Sequence, residues 1–312
     1  MVKNLKTKIM NKSKLTTVTQ FLMLVIIAGL GFSSCAYDDF VENEFDFTSV
    51  YLPYQQIDRT FIMGEGMRIG VGAVLGGRLD NTEDVEITFS LQDDLVNDAG
   101  LTVLPTSHYQ LVDADGNPAN NKITIPAGSS QGFVYVKADS INFLGDTESL
   151  GNKYALGFQL ENVVKADSIL SNLKSTMITF TYINQLYGKY IQKGSFVKED
   201  GASSETLTYS GVITDEIEFT MAAPKTFVYN GLAEFRGGTQ KMHVILADDN
   251  TITLESIAGS VAIIDDGGSI YNPDTREITL NYSFDYNGAN YKASDVLEFR
   301  NRIVDGVNQT EI

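Results

Sequence analysis

Ile278-Thr279-Leu280-Asn281-Tyr282-Ser283-Phe284-Asp285-Tyr286 alternates strictly between apolar and polar side chains. Successive side chains of an extended strand point to opposite faces. Period two therefore puts Ile278, Leu280, Tyr282, Phe284 and Tyr286 on one face, and Thr279, Asn281, Ser283 and Asp285 on the other. A helix would scatter the same residues around its circumference, so the run reads as a strand with one buried side. Asn287-Gly288 follows, a pair that tolerates the positive φ angles of a two-residue hairpin. Residues 289–299 return as the partner strand.

Working outward, further short runs lie at residues 189–196, 205–209, 216–221, 225–229, 241–247, 251–255 and 261–264. They are separated by turn formers such as Asp248-Asp249-Asn250 and Asp265-Asp266-Gly267-Gly268. Consecutive meander-like strands suit an up-and-down β-barrel of calycin type over residues 185–312, with a second sandwich as the alternative. The aromatic stripe of 278–286 then reads as barrel core. Upstream, runs at 50–52, 67–75, 85–91, 109–112, 122–125, 132–137, 154–163 and 177–182 are punctuated by Gly, Asn, Asp and Pro at sandwich-like spacing. About eight strands over residues 49–184 fit an immunoglobulin-like sandwich. The expected fold class is all-β, with short helices confined to 139–152 and 165–174.

The 312 residues carry 40 acidic side chains against 23 Lys and Arg, with two His, one Cys and no Trp. A formal charge of −17 offers no basic face to phosphates, so nucleic acid is excluded as an expected partner. One Cys forms no internal disulfide, and two His with one Cys do not make the usual zinc centre. No metal or cofactor is expected.

The first 34 residues read as a targeting segment. Lys3, Lys6, Lys8, Lys12 and Lys14 form a basic region without an acid, and residues 21–30 are apolar but shorter than the roughly 20 residues a span requires. Ser33-Ser34-Cys35 resembles a bacterial lipobox, although Phe32 stands where Leu is usual. The resemblance implies that the Cys35 thiol is acylated and becomes the mature N-terminus, with residues 35–48 as tether. Asp38-Asp39 resembles a surface-export signal of Bacteroidetes lipoproteins. Cleavage before Cys35 removes five Lys and no acid, leaving 278 residues at −22. Such a charge favours neutral glycans or proteins over acidic polymers.

Tyr109-Gln110-Leu111, Ile123-Thr124-Ile125-Pro126-Ala127-Gly128, Val134-Tyr135-Val136 and Tyr271-Asn272-Pro273-Asp274 leading to Ile278-Thr279-Leu280 carry a wider resemblance. The chain resembles two-domain Bacteroidetes surface lipoproteins of glycan-utilisation loci, whose N-terminal domain also stands ahead of endoglycosidase modules. The resemblance implies glycan binding beside an outer-membrane uptake transporter. The D-x-x-D-x-D-x-E strand of those endoglycosidases is missing, and Glu216 and Glu218 read as a solvated strand face with Ile217 and Phe219 inward. An enzyme is not expected. Asp113-x-Asp115-x-Asn117 starts like a calcium loop, but Gly116 and Thr124 are misplaced for one, and the segment reads as a turn. His108 and His243 read as hydrogen-bonded strand or loop residues.

Glycan binding uses aromatic platforms with amides and charged forks around them. Tyr must serve where Trp is absent. Tyr229-Asn230, Tyr271-Asn272 and Asn290-Tyr291 each set a Tyr beside an Asn near a turn, and Arg236 adds a fork donor. Tyr51 and Tyr54 near the tether are a lesser set. The sequence thus predicts a non-catalytic surface lipoprotein that binds an oligo- or polysaccharide for uptake, mainly through exposed tyrosines of the C-terminal domain. Their removal is expected to spare the melting temperature. The alternatives are an adhesion or assembly subunit with a protein partner, and a calycin-like binder of a small apolar ligand lined by Leu280, Tyr282, Phe284 and Tyr286.

Overall fold

The computed structural model describes residues 47–209, 211 and 216–310. The leader and Cys35 lie outside the described residues. Residues 47–48 and 76–80 belong to a small contact unit of their own. Within it Gly77 adopts φ 89°, and a Cβ there would stand 2.1 Å from the Phe47 carbonyl oxygen, so only glycine fits.

The other unit contains two all-β cores. The first is built from β1 (Ser49–Tyr51), β2 (Gln56–Ile62), β3 (Arg68–Gly76), β4 (Val85–Leu91), β5 (Thr102–Val103), β6 (Tyr109–Val112), β7 (Lys122–Ile125), β8 (Gln131–Ala138), β9 (Tyr154–Val164), β10 (Ser168–Ile169) and β11 (Ser175–Ile183). One sheet runs β10-β1-β3-β8-β6; the other runs β2-β11-β9-β4-β7, with β5 added to β9. Alternation puts Ile69, Val71, Ala73, Val134 and Val136 of the first sheet against Ile87, Phe89, Phe158, Ile178 and Phe180 of the second. The interior of such a sandwich is made in this way, from the inward positions of both sheets.

Three of these strands escape sequence reading. β2 carries Asp58 and Arg59 within its apolar alternation, and it is held by parallel pairing with β11 and by the Thr179 hydroxyl, which donates to Asp58 at 2.7 Å. The two-residue β5 and β10 are too short to show a period. α1 (Asp93–Asp98) was also not expected; it buries Val96 alone. α2 (Asn142–Gly145) falls in the expected helical region.

The second core is built from β12 (Gly188–Asp200), β13 (Ser203–Thr208), β14 (Glu216–Ala223), β15 (Thr226–Tyr229), β16 (Met242–Leu246), β17 (Ile252–Ser256), β18 (Ile263–Asp265), β19 (Ile270–Asn272), β20 (Glu277–Tyr286), β21 (Ala289–Val304) and β22 (Val307–Gln309). The sheet runs β17-β16-β15-β14-β12-β21-β20-β18, antiparallel throughout. β13 extends the β14 side of β12, and β19 pairs with β20 beside β18. The path's two ends meet: Thr251 bridges Ile270, and the Ile252 and Tyr271 amides donate to Ser269 and Asn250 carbonyls at 3.0 and 2.9 Å. Apart from the side strands β13, β19 and β22, each strand neighbours the next in sequence and β21 pairs back with β12, which is an up-and-down barrel. Along β20, Ile278, Leu280, Tyr282 and Phe284 are wholly buried, as period two requires. Asn287 and Gly288 take φ 51° and 85° in the hairpin that pairs Tyr286 with Ala289.

Candidate functional site

The tyrosines predicted as exposed platforms are buried. Tyr229, Tyr271 and Tyr291 are 0%, 4% and 2% exposed. Tyr229 ends β15, Tyr271 is the middle residue of β19 and Tyr291 is the third of β21, each on the inward phase of its strand. A large ring gains more from the core than from water, provided its hydroxyl finds a partner. Asn272 accepts amide bonds from Asp274 and Thr275 in its own turn, and Asn290 donates to Asp285.

The barrel brings some of these residues together. Tyr291 stacks on Phe284 with centroids 4.9 Å apart, contacts Phe235 at 5.4 Å and donates to Glu234 at 2.6 Å. Lys198 pairs with Glu234 at 3.0 Å, and the Arg236 guanidinium lies 5.5 Å from the Tyr209 ring centroid. Asn230 accepts the Gly237 amide, next to the same turn. Tyr271 and Asn272 are elsewhere, paired with Ile278 and Glu277 at the opposite end of β20. The stripe that could have lined a ligand chamber is packed ring against ring.

At the centre of this core lies a residue the sequence reading missed. Asp295 is fully buried in β21 opposite Leu280. Its Oδ2 accepts from Tyr229 at 2.5 Å and from Tyr282 at 2.9 Å, while Gln192 Nε2 donates to the Tyr229 hydroxyl and the Gly231 carbonyl. Burial pushes the carboxyl up to about 7 against the opposing pull of these donors. The same burial, then the Asp295 charge, holds Tyr229 and Tyr282 well above the usual phenol range. The signal was present: Tyr291, Ala293, Asp295 and Leu297 share one phase, and an acid on an apolar phase is a buried acid.

An exposed aromatic site occurs instead on the sandwich. A half-open trough of about 460 Å³ is lined by Tyr51, Tyr54, Arg59, Gly70, Gly72, Gln131, Phe133 and Thr176, among others. Tyr54 is 60% exposed and Phe133 40%. This is the size range of ligand clefts, and its wall mixes rings with an amide, a hydroxyl and a guanidinium. Arg59 also pairs with Asp305 at 3.5 Å. The lesser pair of the sequence reading, Tyr51 and Tyr54, thus stands in the better-formed site. Phe133 was legible: in β8 Gly132, Val134 and Val136 face in, so Phe133 and Tyr135 fall on the face with Gln131 and Lys137.

The remaining singled-out residues serve local structure. His108 Nε2 lies 3.0 Å from Asp146 Oδ2, which also accepts from Tyr154 at 2.6 Å, and Ser107 Oγ lies 3.0 Å from His108 Nδ1. Asp113 caps its own turn by accepting the Asp115 and Asn117 amides. Glu216 pairs with Lys189 and Arg300 on the face opposite Ile217 and Phe219.

Comparison with known proteins places this fold among solved structures. A family model described as a “-like, N-terminal domain” matches residues 43–167. A Bacteroides ovatus protein of unknown function shares the fold, with a TM-score of 0.70 at 20% identity over 84% of this chain and 96% of that one. A second B. ovatus protein of unknown function aligns over 85% of this chain and all of its own at 12% identity and a TM-score of 0.43. A multidomain B. ovatus protein including DUF1735 aligns over 84% and 97% at 11% identity and a TM-score of 0.41. These two likenesses are too slight to carry structure from one chain to another. No curated protein matches the chain. The chain is all-β and shares its architecture with a Bacteroides protein across nearly that protein's whole length.

Proposed function

We propose that this chain is a non-catalytic lipoprotein, anchored through Cys35 in the outer membrane and facing outward, that captures an oligo- or polysaccharide for uptake by a transporter. The observation that carries the reading is the sandwich trough, where exposed rings of Tyr54 and Phe133 stand beside hydrogen-bonding groups of Gln131 and Arg59. Sugar rings offer apolar C–H faces and rims of hydroxyls, and this wall offers the complement of both. The contact site thus moves from the C-terminal tyrosines to the N-terminal sandwich, because a fully buried ring presents no face to a ligand. The net charge of −22 left after cleavage before Cys35 directs the choice toward uncharged glycans. Weak affinity at one site is offset by the high local concentration of anchored protein.

The test is a glycan array probed with the soluble chain lacking residues 1–35, beside Tyr54→Ala and Phe133→Ala. Selective binding lost in both variants supports capture at the trough. Binding retained by both removes this site, and silence across the array turns the search to protein partners.

A further inference from the structure

Gly70 and Gly72 face outward on β3, and directly opposite them on β8 stand Tyr135 and Phe133. A Cβ on Gly72 would lie 2.7 Å from Phe133 Cε1 and 3.1 Å from its Cδ1. One on Gly70 would lie 3.1 Å from Phe133 Cδ1 and 3.2 Å from Tyr135 Cε1. The rings therefore occupy the volume that β3 side chains would fill. Phe133 Cδ1 stands within 3.1 Å of both of these Cβ positions, so the ring leans over β3 between the two glycines. Phe133 still exposes 40% of its surface. Tyr135 is closed off: the Arg68 guanidinium sits 4.2 Å from its ring centroid, held by a 3.0 Å bond from Nη1 to the Ala114 carbonyl. The accessible plate is thus Phe133, bounded on one side by the Arg68–Tyr135 pair.

We propose that Gly70 and Gly72 are specificity-determining residues of the trough: by laying Phe133 flat they select neutral glycans of equatorially substituted, equatorially linked hexopyranoses. The inference rests on the capture reading above and goes beyond it by naming the substrate class. A phenyl plate has no polar atom. An axial hydroxyl pressed onto it loses its water without a new partner, which costs free energy. A pyranose with equatorial substituents presents only axial C–H bonds to the plate, and 1,4-diequatorial linkages keep successive rings in one ribbon. Axial linkages curl the chain away from a flat surface. Glycine–aromatic pairs also shield strand backbone and steady the pairing, so the experiment has to separate recognition from folding.

The soluble chain lacking residues 1–35 is run by affinity electrophoresis through gels holding mixed-linkage β-glucan, hydroxyethyl cellulose, soluble starch or polygalacturonate. The wild type is expected to be retarded by β-glucan or hydroxyethyl cellulose, and not by starch or polygalacturonate. Gly72→Val adds a good strand former on a solvent-facing position and lifts the ring, so retention should weaken at least about tenfold with the melting temperature within about 3 °C. Phe133→Leu should lose retention likewise while keeping an apolar cover over the glycines. Phe133→Trp should keep it. If Gly72→Val binds like wild type while Phe133→Leu does not, the glycine role is overturned and capture at the trough stands. If both bind like wild type, the trough itself is refuted and this inference with it. Retardation by starch or polygalacturonate would overturn the substrate class, and retardation by none of the four would overturn both readings.

Discussion

Replacing Asp295 by Asn tests the buried centre of the barrel. The carboxyl is held at about 7 against an ordinary 3.8, chiefly by burial. Between these values the folded chain keeps a proton that the unfolded chain has released. Stability therefore falls as pH rises from about 4 to about 7, then levels off. At about 1.4 kcal/mol per pH unit the gap sets a ceiling of about 4 kcal/mol. The carboxylates lowered by hydrogen bonds, such as Asp113, Asp139, Asp146 and Asp249, act in the opposite direction. Their stabilisation is present above their unfolded values and is lost as pH falls below about 4, so the interval from pH 5 to 7 belongs to Asp295. Asn keeps the shape and an acceptor for Tyr229 and Tyr282 but carries no charge. The expected result is a wild type that loses stability from pH 5 to 7.5, an Asp295→Asn variant that is flat over that range, and a variant more stable than wild type above pH 7. Urea unfolding at several pH values, followed by near-ultraviolet circular dichroism of the 15 tyrosines, measures this directly, since the chain has no Trp. Parallel wild-type and variant profiles across that interval would refute a protonated, desolvated carboxyl.

Other substitutions address the packing. Tyr229→Ala empties a fully buried ring site and strips a donor from Asp295, so denaturant unfolding should show a loss of about 4 kcal/mol, in contrast to the unchanged melting point that an exposed tyrosine would give. Gly132→Ala places a methyl 2.2 Å from the Thr124 carbonyl oxygen; because the obstacle is backbone, a cost of about 2 kcal/mol is expected in the same assay. Tyr154→Phe removes the 2.6 Å bond to Asp146 and should cost about 1 kcal/mol at pH 7. That bond is the main reason the Asp146 carboxyl sits below its ordinary value, so the cost should shrink as pH falls below 4; a cost independent of pH would assign it to packing alone.

Period-two alternation and turn chemistry were enough to read the all-β class, the Asn287-Gly288 hairpin and the β20 stripe, because strand facing is a local property of the chain. The same local rule would have exposed Asp295 and Phe133, each of which breaks the polarity of its own strand face. Other features have no local signal. β2 is a strand because β11 supplies its hydrogen bonds. Closure of the barrel depends on Thr251 meeting Ile270, a pairing across two turns. The tyrosines beside Asn230, Asn272 and Asn290 look like platforms from composition and neighbours, yet burial is decided by what the rest of the barrel places around them. Whether a ring lies flat or stands upright depends in turn on the residue opposite, and the Gly72–Phe133 pair lies 61 positions apart in the chain. Strand, turn and face follow from neighbours along the chain, whereas the aromatic faces left open to a ligand are set by contacts between distant segments.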